Sequence, residues 1–253
     1  MSDPRRTSIR ARAAAALEER LALMAPSRRL RLALANEIVS AEAAGRPIRL
    51  LDAGAGDGLL SLALAKRHPD WTVLGVDLRG DLLEGARSRA EARALPNARF
   101  EQADITRPLP ASGFDAAIAL ESLHEIPDDE RALQALAAAL APGGLVVVQV
   151  PDRDWRPVLK GSEPTWREQV RQGYSAEEIT AALHRAGLES IEVRPTYRTT
   201  AALAQELRDR IKGSGLAVRA LAFPFLAGAV RLERWGLTGG EAKAMVATAR
   251  RPA

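Results

Sequence analysis

The stretch Leu50-Leu51-Asp52-Ala53-Gly54-Ala55-Gly56-Asp57-Gly58 decides the fold of this 253-residue chain. It begins as a short apolar run typical of a strand and ends in glycines that precede an apolar helical pattern. Glycines at such a junction let the backbone turn sharply and approach a ligand closely, which a Cβ would prevent. The stretch therefore predicts a strand, a ligand-binding turn and a helix, in that order.

The spacing of these glycines argues against a dinucleotide site. Dinucleotide-binding loops read G-x-G-x-x-G, and their third small residue lets the helix pack near the pyrophosphate. This chain has Leu59 at that position and reads D-x-G-x-G-x-G instead. The leading carboxylate, Asp52, would repel a phosphate but suits a cationic ligand.

Two more carboxylates follow the next two predicted strands. Asp77 lies about 20 residues beyond the loop, where a carboxylate can accept hydrogen bonds from both hydroxyls of a ribose. Asp104 follows the third strand and could accept a hydrogen bond from the exocyclic amine of adenine. An aspartate at a strand end can also simply cap the next helix. Three of them at consecutive strand ends, together with the glycine spacing, favour a nucleoside site.

The rest of the chain alternates between strand and helix patterns. The predicted strands cover residues 48–53, 71–77, 98–102, 114–119, 145–150, 190–193 and 242–248. This alternation is typical of a mostly parallel sheet covered by helices, with ligands bound at the carboxyl ends of the strands. We expect an N-terminal helical cap over 1–45 and a catalytic domain over 46–253, in which 151–174 form a substrate loop and 199–239 a helical insert or lid.

These motifs resemble those of the class I S-adenosylmethionine-dependent methyltransferases, over about residues 50–150 and more loosely from Tyr174 onward. The resemblance implies a Rossmann-like three-layer α/β sandwich, with a seven-stranded, mostly parallel sheet whose last strand is antiparallel. It also implies S-adenosylmethionine as the cofactor and S-adenosylhomocysteine as the product. The cofactor contacts that it assigns are Asp52, Ala53, Gly54, Gly56, Gly58, Asp77, Leu78, Asp104, Ile105 and Leu120.

The turn after the fourth strand is the predicted place of the chemistry, because in that family it lies beside the transferable methyl group. Methyl transfer depends on the alignment of the reacting atoms, and a hydroxyl acceptor must also lose its proton. His124 is therefore the candidate base, with Glu121 and Tyr174 as further candidate catalytic residues. The alternative is a partly buried histidine bonded to a neighbouring carboxylate. The order Glu121-x-x-His124-Glu125, with no second histidine nearby, predicts no metal.

The loop and the insert after the fifth strand are the predicted acceptor-binding elements. Asp154, Trp155, Trp166 and Tyr174 could line a pocket, although plain packing would also explain each tryptophan. The resemblance adds that small-molecule members often carry a related Arg-to-Tyr motif before the next helix, as residues 171–174 do. The apolar patch over 221–230 fits a lid, a dimer surface or an interfacial contact equally well.

Composition narrows the function further. The chain has no cysteine, which excludes thiolate metal sites and a cysteine nucleophile of the kind needed for cytosine C5 methylation. The net charge is only +4, and the N-terminal arginines are typical of solvated helix faces, so a nucleic-acid partner is not expected. No run reaches the ~20 apolar residues that span a bilayer. We expect a cytoplasmic protein without a transmembrane segment, and the apolar patch is compatible with a homodimer.

The pattern as a whole favours methyl transfer to a small-molecule acceptor, at oxygen rather than nitrogen or carbon. Three alternatives stay open on the sequence alone. The protein could methylate RNA or protein through its basic helices, or it could be an NAD-dependent reductase despite the absent third glycine. It could also be a pseudoenzyme that keeps the fold as a binding module.

Overall fold

The computed structural model describes residues 25–159, 170–235 and 239–253. The strands are β1 (Arg49–Ala53), β2 (Thr72–Asp77), β3 (Ala98–Gln102), β4 (Phe114–Leu120), β5 (Leu140–Pro151), β6 (Glu189–Arg198) and β7 (Ala242–Arg250). The helices are α1 (Pro26–Ala43), α2 (Leu59–Arg67), α3 (Gly80–Ala92), α4 (Asp129–Ala139), α5 (Ala176–Arg185), α6 (Thr199–Ile211) and α7 (Leu216–Arg234), with a short 3₁₀ turn at Leu123–Glu125.

The strands form one sheet in the order β3-β2-β1-β4-β5-β7-β6. Neighbours from β3 to β5 run parallel, whereas β7 pairs antiparallel with both β5 and β6. The predicted Rossmann-like sheet with an antiparallel last strand beside the fifth is therefore confirmed. Because β1 and β4 are central neighbours, their carboxyl ends bring the glycine loop and the Glu121–His124 turn together.

Successive strand residues pack into two separate hydrophobic cores, one on each face of the sheet, so the fold has three layers. Leu51, Ala117 and Val146 point to one side of the sheet, where they pack with α4 and α5. Leu50 and Val147 belong to the opposite cluster, which includes residues of α1, α2 and α3. Since side chains alternate across a strand, a buried parallel strand must be apolar on both faces, as these runs are.

Two strands, β5 and β6, are each six residues longer than the sequence predicts. β5 already begins at Leu140, which pairs with Phe114 before a register shift. β6 continues to Arg198 because residues beyond the predicted end, including Pro195, still lie opposite β7. A proline within a run normally argues against a strand, but it is tolerated here because β6 is an edge strand.

The two predicted helical patterns of the insert are present as α6 and α7, with a break at 212–215. The predicted capping box at the start of α5 is also present, because Ser175 and Glu178 each bond the other's backbone N–H. Helix α7 exposes Leu221 and Phe225. In the described part of the chain, no helix is both long enough and apolar enough to cross a membrane. The predicted helix around Leu17 and Leu21 lies outside the described residues.

Candidate active site

The loop after β1 closes through three glycines in left-handed backbone conformations. Gly54, Gly56 and Gly58 have φ angles of 81°, 55° and 72°. A Cβ on Gly54 would lie 2.6 Å from the Cβ of Ser122, whereas a Cβ on Gly56 would meet nothing within 4 Å. Gly56 therefore borders open space, as a residue that a ligand approaches must, and Gly54 is tightly packed against the turn after β4.

Asp77 ties this loop to the end of β2. The backbone N–H of Gly56 donates to Asp77 Oδ2 at 2.7 Å, and the N–H of Arg79 donates to Oδ1 at 2.9 Å. A carboxylate offers about four lone-pair positions, so acceptor capacity is left for further hydroxyls. Asp77 thus holds the loop in place and can still accept the hydrogen bonds from ribose hydroxyls that the sequence predicts.

Asp52 is a buried carboxylate beneath the loop. The hydroxyl of Ser61 donates to its Oδ2 at 2.5 Å. Burial raises the pKa of Asp52 to about 6, against the lowering effects of the Ser61 hydrogen bond and the Arg31 charge. The surrounding protein shields this carboxylate from water, and a cationic ligand bound beside it would stabilise its ionised form.

A first cavity of about 340 Å³ opens above these groups. It is lined by Arg28, Arg31, Leu32, Asp52, Gly54, Ala55, Gly56, Asp57, Leu59, Leu60, Leu82 and Leu120. Arg28 pairs with Asp57 at 2.7 Å across its rim. The cavity combines a buried acid and open glycine backbone with leucine side chains, which fits a nucleoside that carries a cationic amino-acid end.

A second cavity of about 220 Å³ lies at the carboxyl end of β4. It is lined by Ser27, Arg31, Glu121, His124, Glu125, Gln149, Tyr197, Gln205 and Lys243. Arg31 lines both cavities, so the two are neighbours. The structure thereby brings the predicted catalytic residues Glu121 and His124 to a polar pocket beside the glycine loop.

His124 is almost completely enclosed, with 2% of its surface exposed. Burial, helped by the positive charge of Arg31, lowers the pKa of His124 to about 4. Its Nε2 lies 3.9 Å from Oε1 of Glu125. The imidazole is therefore neutral at pH 7, able to exchange hydrogen bonds but weak as a proton acceptor.

Two of the five non-glycine residues with positive φ in the described part of the chain line the second cavity. Glu121 and Tyr197 have φ angles of 63° and 60°, although neither is a glycine. Such conformations cost about 1–3 kcal/mol and are common at functional sites. Burial also raises the pKa of Glu121.

Lys243 is the cation at the floor of this cavity, with 4% of its surface exposed. Its ammonium lies 4.7 Å from the ring centre of Trp155 and 5.1 Å from that of Tyr197. Burial lowers its pKa, whereas the charge of Glu121 opposes this. Contacts with aromatic faces stabilise a cation that has left water.

A known protein family matches most of this chain. A family described as a methyltransferase domain matches residues 15–193. The chain belongs to this family. The prediction of a class I S-adenosylmethionine-dependent methyltransferase from the glycine loop is therefore confirmed.

Three individual proteins illustrate the likeness. The trans-aconitate 2-methyltransferase of Variovorax paradoxus is 36% identical over 128 residues, which are 48% of this chain and 48% of that protein. The chain thus matches about half the length of such curated relatives. The 4+2 cyclase SpnF has a solved structure with a TM-score of 0.61, 27% identity and coverage of 86% of this chain and 80% of that one.

The third is phosphoethanolamine N-methyltransferase 2 of Haemonchus contortus, solved in complex with S-adenosyl-L-methionine. Its TM-score is 0.62 at 20% identity, over 86% of this chain and 53% of that one. At this identity the likeness concerns the fold alone. Since one fold hosts a cyclase and methyltransferases, the reaction must be argued from the site.

The predicted adenine and ribose contacts lie on the loops after β2 and β3. Leu78 is 65% exposed, whereas Ile105 is buried. Asp104 accepts hydrogen bonds at Oδ1 from the backbone N–H and the hydroxyl of Thr106, and these bonds lower its pKa. Asp104 is thus held in a local turn, and its place in cofactor binding stays a prediction.

Tyr174 lies in a different environment from the one the sequence predicts. It is fully buried in the core, and its hydroxyl donates to Asp129 Oδ2 at 2.6 Å. The guanidinium of Arg171 lies over its ring at 4.1 Å and pairs with the same Asp129 oxygen. These contacts give Tyr174 a packing role instead of a place among the residues that line the two cavities.

The other three predicted acceptor contacts are Asp154, Trp155 and Trp166, and none of them lines either cavity in the described part of the chain. The ring of Trp155 contacts the ammonium of Lys243, which lines the second cavity. The side chain of Asp154 is largely exposed and lies near Arg153. Trp166 lies outside the described residues.

Within the described ranges, no group of three or more metal-binding side chains is arranged to hold an ion.

Sequence reasoning missed Arg31, Tyr197 and Lys243. Lys243 offered a signal, because it is a lone cation in an otherwise apolar strand, residues 242–247. Arg31 stands among other arginines of α1, and nothing in its neighbours distinguishes it. Tyr197 lies in the part of β6 that the sequence did not predict.

Proposed function

We propose that this protein transfers a methyl group from S-adenosylmethionine to an oxygen of a small-molecule acceptor. The observation that carries the proposal is the pair of adjoining cavities at the carboxyl ends of β1 and β4. One offers a cradle for the cofactor and the other a polar pocket for the acceptor. Only the residue between them, Arg31, faces both within the described lining.

The residues of the first cavity fit the cofactor. Asp52 supplies a buried negative charge for its cationic end, and the space next to Gly56 is open to a ligand. The residues that would hold it are Asp52, Ala53, Gly54, Gly56, Gly58 and Leu120 at the methionine end, Asp77 and Leu78 at the ribose, and Asp104 and Ile105 at the adenine. When bound, the cofactor supplies an electrophilic methyl group on a sulfonium.

The chain's own contribution is chiefly positioning. The second cavity would place the acceptor beside the glycine loop, where the reacting atoms can be aligned. Glu121 and His124 face this pocket and would orient the acceptor through hydrogen bonds. His124 is the candidate base for a hydroxyl acceptor, but a pKa of about 4 makes it poorly matched to that task at pH 7.

Two observations support a small acceptor in place of RNA or protein. The second cavity measures about 220 Å³ and is bounded by side chains from α1, β5, β6 and β7, which leaves room for a metabolite. The name of the relative from V. paradoxus also refers to a small organic acid. A cytoplasmic location and a homodimer stay predictions.

The first experiment is calorimetry on ligand-free protein with S-adenosylmethionine, S-adenosylhomocysteine and NAD. We expect binding of the first two and none of NAD. The second is a screen of extract metabolites for uptake of a labelled methyl group. Heat with NAD alone would overturn the proposal, and cofactor binding without label in any metabolite would favour a binding module or a cyclase.

The variant His124→Ala tests the assignment of the second cavity. Because His124 lines that cavity and not the first, we expect turnover to fall more than cofactor affinity. Ser40→Ala is a matched control on α1, since its hydroxyl contacts His68 and neither cavity. Full activity of His124→Ala would remove the histidine from the mechanism.

A further inference from the structure

Arg31 lines both cavities. Arg31 is partly buried, and among the described residues it makes no hydrogen bond or ion pair. Its charge acts on Asp52 in the first cavity and on Glu121 and His124 in the second. An arginine placed in this way presents a rigid fork of donors that matches both oxygens of a carboxylate.

Two buried polar atoms in the second cavity add to this. The hydroxyl of Tyr197 and Oε1 of Gln149 have no hydrogen-bond partner within the described chain. A buried polar group without a partner costs about 1–3 kcal/mol, so such groups are expected to meet a ligand or water. The strained backbone of Tyr197, at φ 60°, holds the hydroxyl in this wall.

We propose that the acceptor is an ionised carboxylic acid, methylated on a carboxylate oxygen, and that Arg31 and the Tyr197 hydroxyl recognise it. The inference rests on the proposed function, since it names the substrate class of the same site. It makes Arg31 the specificity-determining residue. The fork can hold two lone pairs of the carboxylate while another stays available for reaction.

The acidic residues of the cavity do not oppose this assignment. Burial raises the pKa of Glu121, and the charges of Arg31 and Lys243 counter part of this rise. Among the described lining residues two cations, Arg31 and Lys243, therefore face the carboxylate of Glu121, which leaves a net positive charge for an acidic ligand. Glu125 lies at the rim with 63% of its side chain exposed, where water screens its charge.

The chemical step needs no base. A carboxylate oxygen uses its lone pair to form the bond to the methyl carbon of S-adenosylmethionine, while the methyl–sulfur bond breaks and its electron pair stays on sulfur. The products are a neutral methyl ester and a neutral thioether, and no proton is released. A neutral His124 suits this reaction because it only has to orient the acceptor.

The rival role for Arg31 is binding the carboxylate of the cofactor's own amino-acid end, since Arg31 also lines the first cavity. Arg28 provides the control, because it lines the first cavity and not the second. If Arg31 serves the acceptor, Arg31→Gln and Arg28→Gln must differ in which ligand they weaken.

The experiment compares small mono-, di- and tricarboxylic acids, trans-aconitate among them, with their primary amides in a labelled-methyl assay. We expect label in acids and none in the matched amides. Arg31→Gln should lower kcat/KM for the acid roughly tenfold to hundredfold, the range for a lost charge-assisted hydrogen bond. Affinity for S-adenosylhomocysteine should stay within about twofold of the native value.

Two further variants sharpen the result. Arg31→Lys should recover part of the loss, because it keeps the charge and loses the fork. Arg28→Gln should weaken S-adenosylhomocysteine and leave the KM of the acid unchanged. Label confined to alcohols, phenols or amines would overturn this inference alone, as would an Arg31→Gln protein that loses cofactor affinity and keeps its KM. Failure to bind S-adenosylhomocysteine at all would overturn the proposed function instead.

Discussion

The backbone N–H of Gly56 donates a 2.7 Å hydrogen bond to Asp77, so the carboxylate predicted to bind the ribose also shapes the glycine loop. We expect Asp77→Asn to raise the dissociation constant of S-adenosylmethionine about tenfold to hundredfold, because a charge-assisted bond is lost. Calorimetry measures this directly. Asp70→Asn, at an exposed carboxylate, is the matched control. Equal affinity in both variants would remove Asp77 from the site.

The glycines at 56 and 58 should fail in different ways when each becomes alanine. A Cβ at position 58 would lie 2.5 Å from the Cβ of Ala86 and 2.8 Å from Cε1 of Phe100, so Gly58→Ala should lose about 3 kcal/mol of unfolding free energy. Gly56→Ala meets open space and should lose only about 1 kcal/mol. Its cofactor affinity should nevertheless fall at least tenfold. Urea unfolding and calorimetry on both proteins separate the two effects, and a stable Gly58→Ala protein would contradict the packing argument.

Asp52 should make the ligand-free protein less stable as the pH rises. Its ordinary pKa of 3.8 is raised by burial to about 6, so between these values the folded state binds more protons than the unfolded state. Stability therefore falls as the pH rises through this window, by about 3 kcal/mol in total, and the full cost is present at pH 7.

Asp52→Asn removes that ionisation and keeps an acceptor for Ser61. We expect the variant to be about 1–2 kcal/mol more stable than the native protein at pH 7, with little difference at pH 4. Its affinity for S-adenosylmethionine should fall, because the compensating charge is gone. Urea unfolding at both pH values gives the comparison. A variant that is equally destabilised at both would show that Asp52 serves only packing.

The grouping of residues in the candidate cofactor half of the site could be predicted because its signals are local. The glycine spacing, Asp52 and the strand-end position of Asp77 all lie within 30 residues, and parallel strands bring their carboxyl ends to one edge of the sheet. Alternating apolar runs were likewise sufficient for a mostly parallel sheet covered by helices, whereas the antiparallel last strand was implied only by the family resemblance. The end of β6 was missed because Pro195 argues against a strand unless the strand is known to lie at an edge.

The acceptor half was predictable only in part. Glu121 and His124 follow β4 directly, so their place is fixed by the strand. Arg31, Tyr197 and Lys243 come from α1, β6 and β7, and no local pattern shows that these elements converge. The motif over residues 171–174 predicted Tyr174 as an acceptor contact. Its hydroxyl instead bonds to Asp129, which is 45 positions away in the sequence, so no local pattern could show this.

The protein has two tyrosines, and the structure gives them opposite roles. The hydroxyl of Tyr174 is bonded to Asp129 in the core, so Tyr174→Phe should cost about 1–3 kcal/mol of unfolding free energy and leave the KM of the acceptor within about twofold. The hydroxyl of Tyr197 has no partner among the described residues, so Tyr197→Phe should keep or slightly raise stability. The same change should raise the KM of the acceptor, because the ring that supports Lys243 stays and only the acceptor contact is lost. Urea unfolding of the two variants measures the free energy of unfolding, and steady-state kinetics measures the KM of the acceptor. A stable Tyr174→Phe protein with an impaired KM would return Tyr174 to the acceptor site that its motif predicts.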